Sequence, residues 1–403
     1  MVGTPSPHTW AIGNMRNKRN IKSFGKTLAY LQDPHLRKKE TGDALLIIDS
    51  AEIMSESFEG KIWRNVSFKN CDFIGAYEVK LAAMENCTFE ECRFSGIFAW
   101  GVQNTVSFIK CGIVGVSHLW GSEGSKAVTY QQCTFAGTSS DPNQQGSVGT
   151  YGDAAFIECN GKWFGVLGHS ALLMHSCEFD SMNCLIDARE SSGIVPNVVV
   201  SDCKLRGKFD MVSSVLQSLA IRDTVLEELN LSNATVKGDV VIERVRGGYI
   251  NAYVKEAKRL SVHNSQIYGN RKKVFEAYAG GIRAIEIDTV IFGGDLTTEP
   301  VTVAGGTGAD LGNVRARVND SIVIRNSKAP RLSAHHVNTS LLQLQGCELE
   351  SLDLSNGRIA NLQLSGNAIV RSVDFTNTQV KESNVQSLAK GQAKLEGSNI
   401  KIN

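Results

Sequence analysis

The chain has 403 residues, 42% of them apolar, which is enough to bury a substantial core. Its 42 Lys+Arg against 41 Asp+Glu give no one-sided field. That balance argues against a polyanion-binding body and an acidic nucleic-acid mimic, so no nucleic-acid partner is expected. No apolar run approaches the roughly 18 residues of a membrane span, so no transmembrane segment is expected. The first ten residues, Met1 to Trp10, lack the basic and apolar regions of a Sec-type signal.

Residues 1–20 are rich in Pro, Ser, Thr and Asn and carry no acidic residue, and they read as a flexible leader. This leader resembles the unstructured Ser/Thr/Pro-containing leaders of type III secreted effectors, which implies export without a Sec signal. Residues 21–56 read as an N-terminal cap. There Phe24, Leu28 and Leu31 fall at helical spacing, so a short amphipathic helix closing one end of the main domain is expected.

Residues 57–403 read as a single repeat domain. One eight-residue frame recurs: apolar, any, apolar, any, polar, small, any, apolar. Val66/Phe68/Cys71/Phe73, Val106/Phe108/Cys111/Ile113, Val128/Tyr130/Cys133/Phe135, Leu172/Met174/Cys177/Phe179 and Val198/Val200/Cys203/Leu205 all show it. It continues with Thr224, Ser265 and Cys347 in the small position, and weaker copies centre on Cys87, Cys159, Val245, Val290 and Ser327. Most steps are between 18 and 26 residues, the length of one coil of a β-solenoid whose strands stack about 4.8 Å apart. Toward the C-terminus Leu352/Leu354/Gly357/Ile359, Leu362/Leu364/Asn367/Ile369 and Val373/Phe375/Thr378/Val380 repeat every 10 or 11 residues, so two faces of one coil carry the cassette. An antiparallel sandwich would need more hairpin signals than Asn160-Gly161 and Asn356-Gly357 supply. The expected fold is all-β: a right-handed parallel β-helix with a small N-terminal helical cap.

Asn86-Cys-Thr-Phe-Glu90-Glu-Cys-Arg-Phe94 resembles a pair of pentapeptide-type repeats, with Phe89 and Phe94 five apart. The body as a whole is similar to single-stranded right-handed parallel β-helix proteins. The five-residue period is only local, and the acidic, duplex-like surface of gyrase-protecting pentapeptide proteins is absent.

Seven cysteines occupy the small position of successive coils: Cys71, Cys87, Cys111, Cys133, Cys159, Cys177 and Cys203. Stacked inside a corner they act as small apolar residues, and Cys92 and Cys184 fall outside that register. No CxxC pair or Cys/His spacing points to a metal, and no cofactor is expected. So many free thiols imply synthesis in a reducing compartment.

Several surface candidates follow. Phe98-Ala-Trp100, His118-Leu-Trp120 and Lys162-Trp163 each follow a cassette. Stacked on one face, Trp100, Trp120, Trp163 and His118 would form a platform for a glycan or protein partner; turned inward, the rings would fill the core. Arg271, Lys272 and Lys273 form a basic loop able to meet an anionic group. The loop 136–151 and the insertion between Val290 and Ser327 are polar and turn-rich, whereas Gly305-Gly-Thr-Gly lacks the Lys of a phosphate loop. Catalysis on such a fold needs clustered carboxylates, and Asp180, Asp187 and Glu190 with His169 are the weak candidates.

The expected function is therefore a non-catalytic interaction scaffold, in the setting of a secreted bacterial effector binding a host protein. A phage or virion spike and a polysaccharide-binding or polysaccharide-cleaving enzyme (hydrolase or lyase) are the alternatives. An effector would be a monomer and a spike a trimer.

Overall fold

The structure, a computed structural model, describes residues 29–42, 44–54, 58–114, 118–121, 125–137, 146–150, 153–162, 164–168, 171–180, 182–186, 196–269, 273–293, 300–304, 319–385 and 393–400. Nearly all of the described strands pair in parallel with the strand one coil earlier and one coil later, so the chain is a parallel β-solenoid. Three faces carry the long strand rows, and a short fourth face, where Val215–Leu216 pairs with Thr235–Val236, lies between the third and the first. On the first face Val66 pairs with Cys87, and the row continues through Val106, Val128, Ala154, Leu172, Val198 and Leu219. The second face carries the row Phe73, Phe94, Ile113 and Phe135. The third carries Phe209, Leu229 and Ile250.

Alternation along each short strand sends every second residue inward. Identical register in the next coil then stacks like on like. Phe68, Phe89, Phe108, Tyr130 and Phe156 form one column with ring centroids 4.9, 4.8, 4.7 and 4.8 Å apart and near-parallel planes. That spacing is the strand repeat itself, so the stack follows from register without further adjustment. Beyond Met174 the same column turns aliphatic, through Val200, Ile221 and Ile242.

The corner between the first and second faces explains the frame. The residue before each small position is left-handed: Asn70 (φ 52°), Glu91 (53°), Lys110 (53°), Gln132 (54°) and Asp202 (53°). This turns the chain sharply and directs the next side chain inward. Further on, Gly346 and Gly366 take the same conformation, where a glycine carries no Cβ penalty. The corner that leaves the third face uses Asn233, Asn356 and Asn377 in the same way.

The seven stacked thiols are Cys71, Cys92, Cys111, Cys133, Cys159, Cys177 and Cys203. Backbone bonds from Arg93 to Cys71, Gly112 to Cys92 and Thr134 to Cys111 fix that order. Cys92, not Cys87, stands in the corner, which corrects the sequence-based assignment. Cys87 lies in the first-face row between Val66 and Val106.

At the N-terminal end the helix Pro34–Thr41 begins at Asp33, whose side chain accepts from the backbone N–H of His35 and Leu36. Most of the expected helix around residues 23–32 lies outside the described residues, although Leu31 is buried in the core. Strands Leu46–Asp49 and Glu52–Met54, placed in the cap from sequence, form the first coil by pairing with Lys61–Lys69 and Asp72–Glu90.

Candidate functional site

The thiol ladder is the most regular group of chemically active side chains. Each corner thiol donates to the carbonyl two residues earlier, as Cys71 does to Lys69 (3.2 Å) and Cys203 to Ser201 (3.1 Å). Thr224, Ser265 and Ser327 repeat the bond to Arg222, His263 and Arg325, each at 2.7 Å. The same side chains accept from the coil before: the N–H of Cys177 reaches the Cys203 sulfur and that of Val290 the Ser327 hydroxyl. The position therefore selects a small donor–acceptor, which is more than the small apolar role read from sequence. The nine cysteines whose side chains are described are free and buried. Burial pushes the Cys87 thiol up to about 11, and the Cys159 thiol beside Cys177, with burial, pushes Cys177 up to about 12. Cys87 and Cys177 are therefore protonated packing groups rather than nucleophiles.

The sequence-derived candidates do not converge. Trp100 is fully buried, with its ring 5.1 Å from Phe98 and 6.2 Å from Trp63, so it belongs to the interior and not to an outer platform. The left-handed Gly101 follows it, where a Cβ would collide with the Ala82 carbonyl. Trp120 is in register with Ala99 rather than Trp100, and His118 with Ile97. Trp163, His169, Asp187, Glu190, Arg271 and Lys272 lie outside the described residues.

Asp180 sits in a surface ion network. Arg206 approaches it at 4.0 Å and also pairs with Glu178, which Lys204 meets at 3.7 Å. Lys273 bonds Glu276 at 3.0 Å, and Glu276 also accepts from the Tyr249 hydroxyl. Among the described residues no group of three or more His, Cys, Asp or Glu side chains is placed to hold a metal. No described helix is long and apolar enough to cross a membrane.

The outer side of the first face differs from the rest of the surface. Its central outward row runs through Thr129, Ala155, Leu173, Val199, Ala220 and Val241. Before Thr129 it holds Ser67, Thr88 and Ser107, so no charged residue appears in it until Glu286. Leu173 is 40% exposed. Charges are confined to the flank, as in Lys69–Glu90 and Arg222–Glu243. Sequence reasoning missed this surface because it followed inward residues. The outward position between them, three residues before each left-handed corner residue, would have shown it.

No protein-family model matches the chain, and neither the curated proteins nor the solved structures give a significant match. The fold alone defines the class, a parallel β-solenoid.

Proposed function

We propose that the chain is a non-catalytic interaction scaffold that binds a protein partner along the neutral outer row of the first face. The observation carrying this reading is the row from Ser67 to Val241, eight coil steps without a charge, or about 38 Å at the strand repeat. Its backbone is already paired on both sides. A partner therefore gains affinity by covering apolar and hydroxyl side chains on a rigid surface, with little ordering cost. The setting we favour is a secreted bacterial effector acting on a host protein, which rests on the basic, Ser/Thr/Pro-containing leader. The spike reading calls for a trimer, and the polysaccharide-enzyme reading for sugar release that Asp180→Asn abolishes.

A photo-crosslinker at Leu173, offered host extract and a glycan panel, tests the proposal. Capture of one protein is expected, reduced at least tenfold by Val199→Lys or Ala220→Glu with the melting temperature unchanged. Capture indifferent to both substitutions, or cleavage of a polysaccharide, would count against it.

A further inference from the structure

The corner thiols form a row with definite ends. Cys71, Cys92, Cys111, Cys133, Cys159, Cys177 and Cys203 occupy seven successive coils, with Ala51 in the coil before and Thr224 in the coil after. The aromatic column three residues upstream gives the spacing of these coils: its ring centroids lie 4.9, 4.8, 4.7 and 4.8 Å apart from Phe68 to Phe156. Each sulfur leans on the coil before. Cys111, Cys133 and Cys159 lie 3.3 Å from the carbonyls of Phe89, Phe108 and Tyr130 there, and the Cys203 sulfur accepts from Cys177 N–H at 3.4 Å. The thiols are buried, yet the residue just before each, as at Glu91, Lys110, Gln132, Glu158, Ser176 and Asp202, is exposed. A single turn of backbone separates the row from solvent.

Equivalent atoms of adjacent coils are held about 4.8 Å apart. That spacing is too wide for a disulfide, whose Cβ atoms lie about 3.5–4.5 Å apart. Two metal–thiolate bonds of about 2.3 Å laid end to end span about 4.6 Å, which matches it. A soft ion with two collinear ligands therefore fits between neighbouring sulfurs, whereas zinc asks for four ligands and calcium or magnesium for oxygen. Charge points to a monovalent ion. Replacing one proton of a thiol pair leaves thiolate, ion and thiol with no net charge, so no unpaired charge is buried. Copper(I) is an ion of this class, and thiolate is the ligand type that selects it. A bridging sulfur bends its two bonds, but the row is straight, so each sulfur serves one ion.

We propose that the thiol row binds copper(I), each ion held linearly between the sulfurs of two adjacent coils. Seven thiols make three such pairs, and each ion sends one proton to solvent and ties two coils together. The site lies inside the corner, so it is independent of partner binding along the outer row.

Anaerobic titration of the reduced full chain with copper(I), in competition with a coloured copper(I) chelator, tests the proposal. Three ions per chain are expected, and X-ray absorption should show two sulfurs per copper at about 2.3 Å. Two triple variants remove equal numbers of thiols, with Thr introduced because Thr224 fills the equivalent corner. Cys92→Thr/Cys133→Thr/Cys177→Thr leaves no adjacent pair and should bind no copper that the chelator cannot remove. Cys159→Thr/Cys177→Thr/Cys203→Thr keeps Cys71 to Cys133 and should hold two ions. Equal stoichiometry in the two variants, three or four sulfurs per copper, or no retained copper in the native chain would overturn the proposal. The sulfur count in the native chain decides the matter even if a variant fails to fold.

Discussion

The corner position asks three things of a side chain: it must be small, donate to the carbonyl two residues back, and accept from the coil before. Cys133 does the first two within a fully buried stack, donating to Gln131 and Phe108. Cys133→Thr should therefore cost under about 1 kcal/mol, because Thr224 fills the equivalent position, while Cys133→Leu should cost about 1–3 kcal/mol by overpacking. Urea unfolding under reducing conditions measures both. His335 offers a second test at this scale. Burial holds its pKa below the ordinary histidine value, against the attraction of Asp353 and with the help of His336. Its Nδ1 lies 2.7 Å from the Ser333 hydroxyl, which donates to Asp353. A base with a depressed folded pKa binds its proton more readily in the unfolded chain. Its stabilising effect is present above the unfolded value near 6.5 and is lost as pH falls through it. Melting temperature should decline over that window, and His335→Gln should flatten the decline.

The N-terminal cap depends on one side chain more than on its helix. Arg37 is 8% exposed and gives its donors to three backbone carbonyls at the first coils. Arg37→Met keeps the packing stem and removes those bonds, at a cost of about 2–4 kcal/mol. Hydrogen exchange should show the loss at Leu46–Asp49 and Lys61–Lys69 and leave Arg358–Ser365 unchanged. The coils were readable from sequence because a strand with one buried side alternates, and the small corner residue recurs at each turn. Cys87 and Cys92 show where that reading slipped. The frame aligned as Cys87-x-Phe89-x-x-Cys92-x-Phe94 places Cys92 in the corner; centring it on Cys87 treats a strand residue as a corner one. Arg37 was out of reach, since nothing local distinguishes a buried arginine from its neighbours Lys38 and Lys39. The break in the inward row at Ser383, which takes the place of Leu362, was equally hidden, being visible only once the coils are in register.

Each coil touches mainly its neighbours, so stability is close to a sum over nearest-neighbour interfaces. All five tryptophans fall between Trp10 and Trp163, so their fluorescence reports only the N-terminal part. Leu342→Ala, in a fully buried C-terminal position, should cost about 2–5 kcal/mol. It should lower the unfolding midpoint by circular dichroism while leaving that by fluorescence in place. Equal shifts would mean that the solenoid unfolds as one unit. The outer row of the first face, from which the proposed function follows, depends on the coils stacking at one strand repeat from Ser67 to Val241. Spin labels at those two positions measure that stacking directly by electron–electron resonance. Stacking at one strand repeat gives a narrow distribution near 38 Å, eight steps of about 4.8 Å. A separation below about 25 Å, or a broad distribution, would contradict the strand repeat and remove the flat face with it.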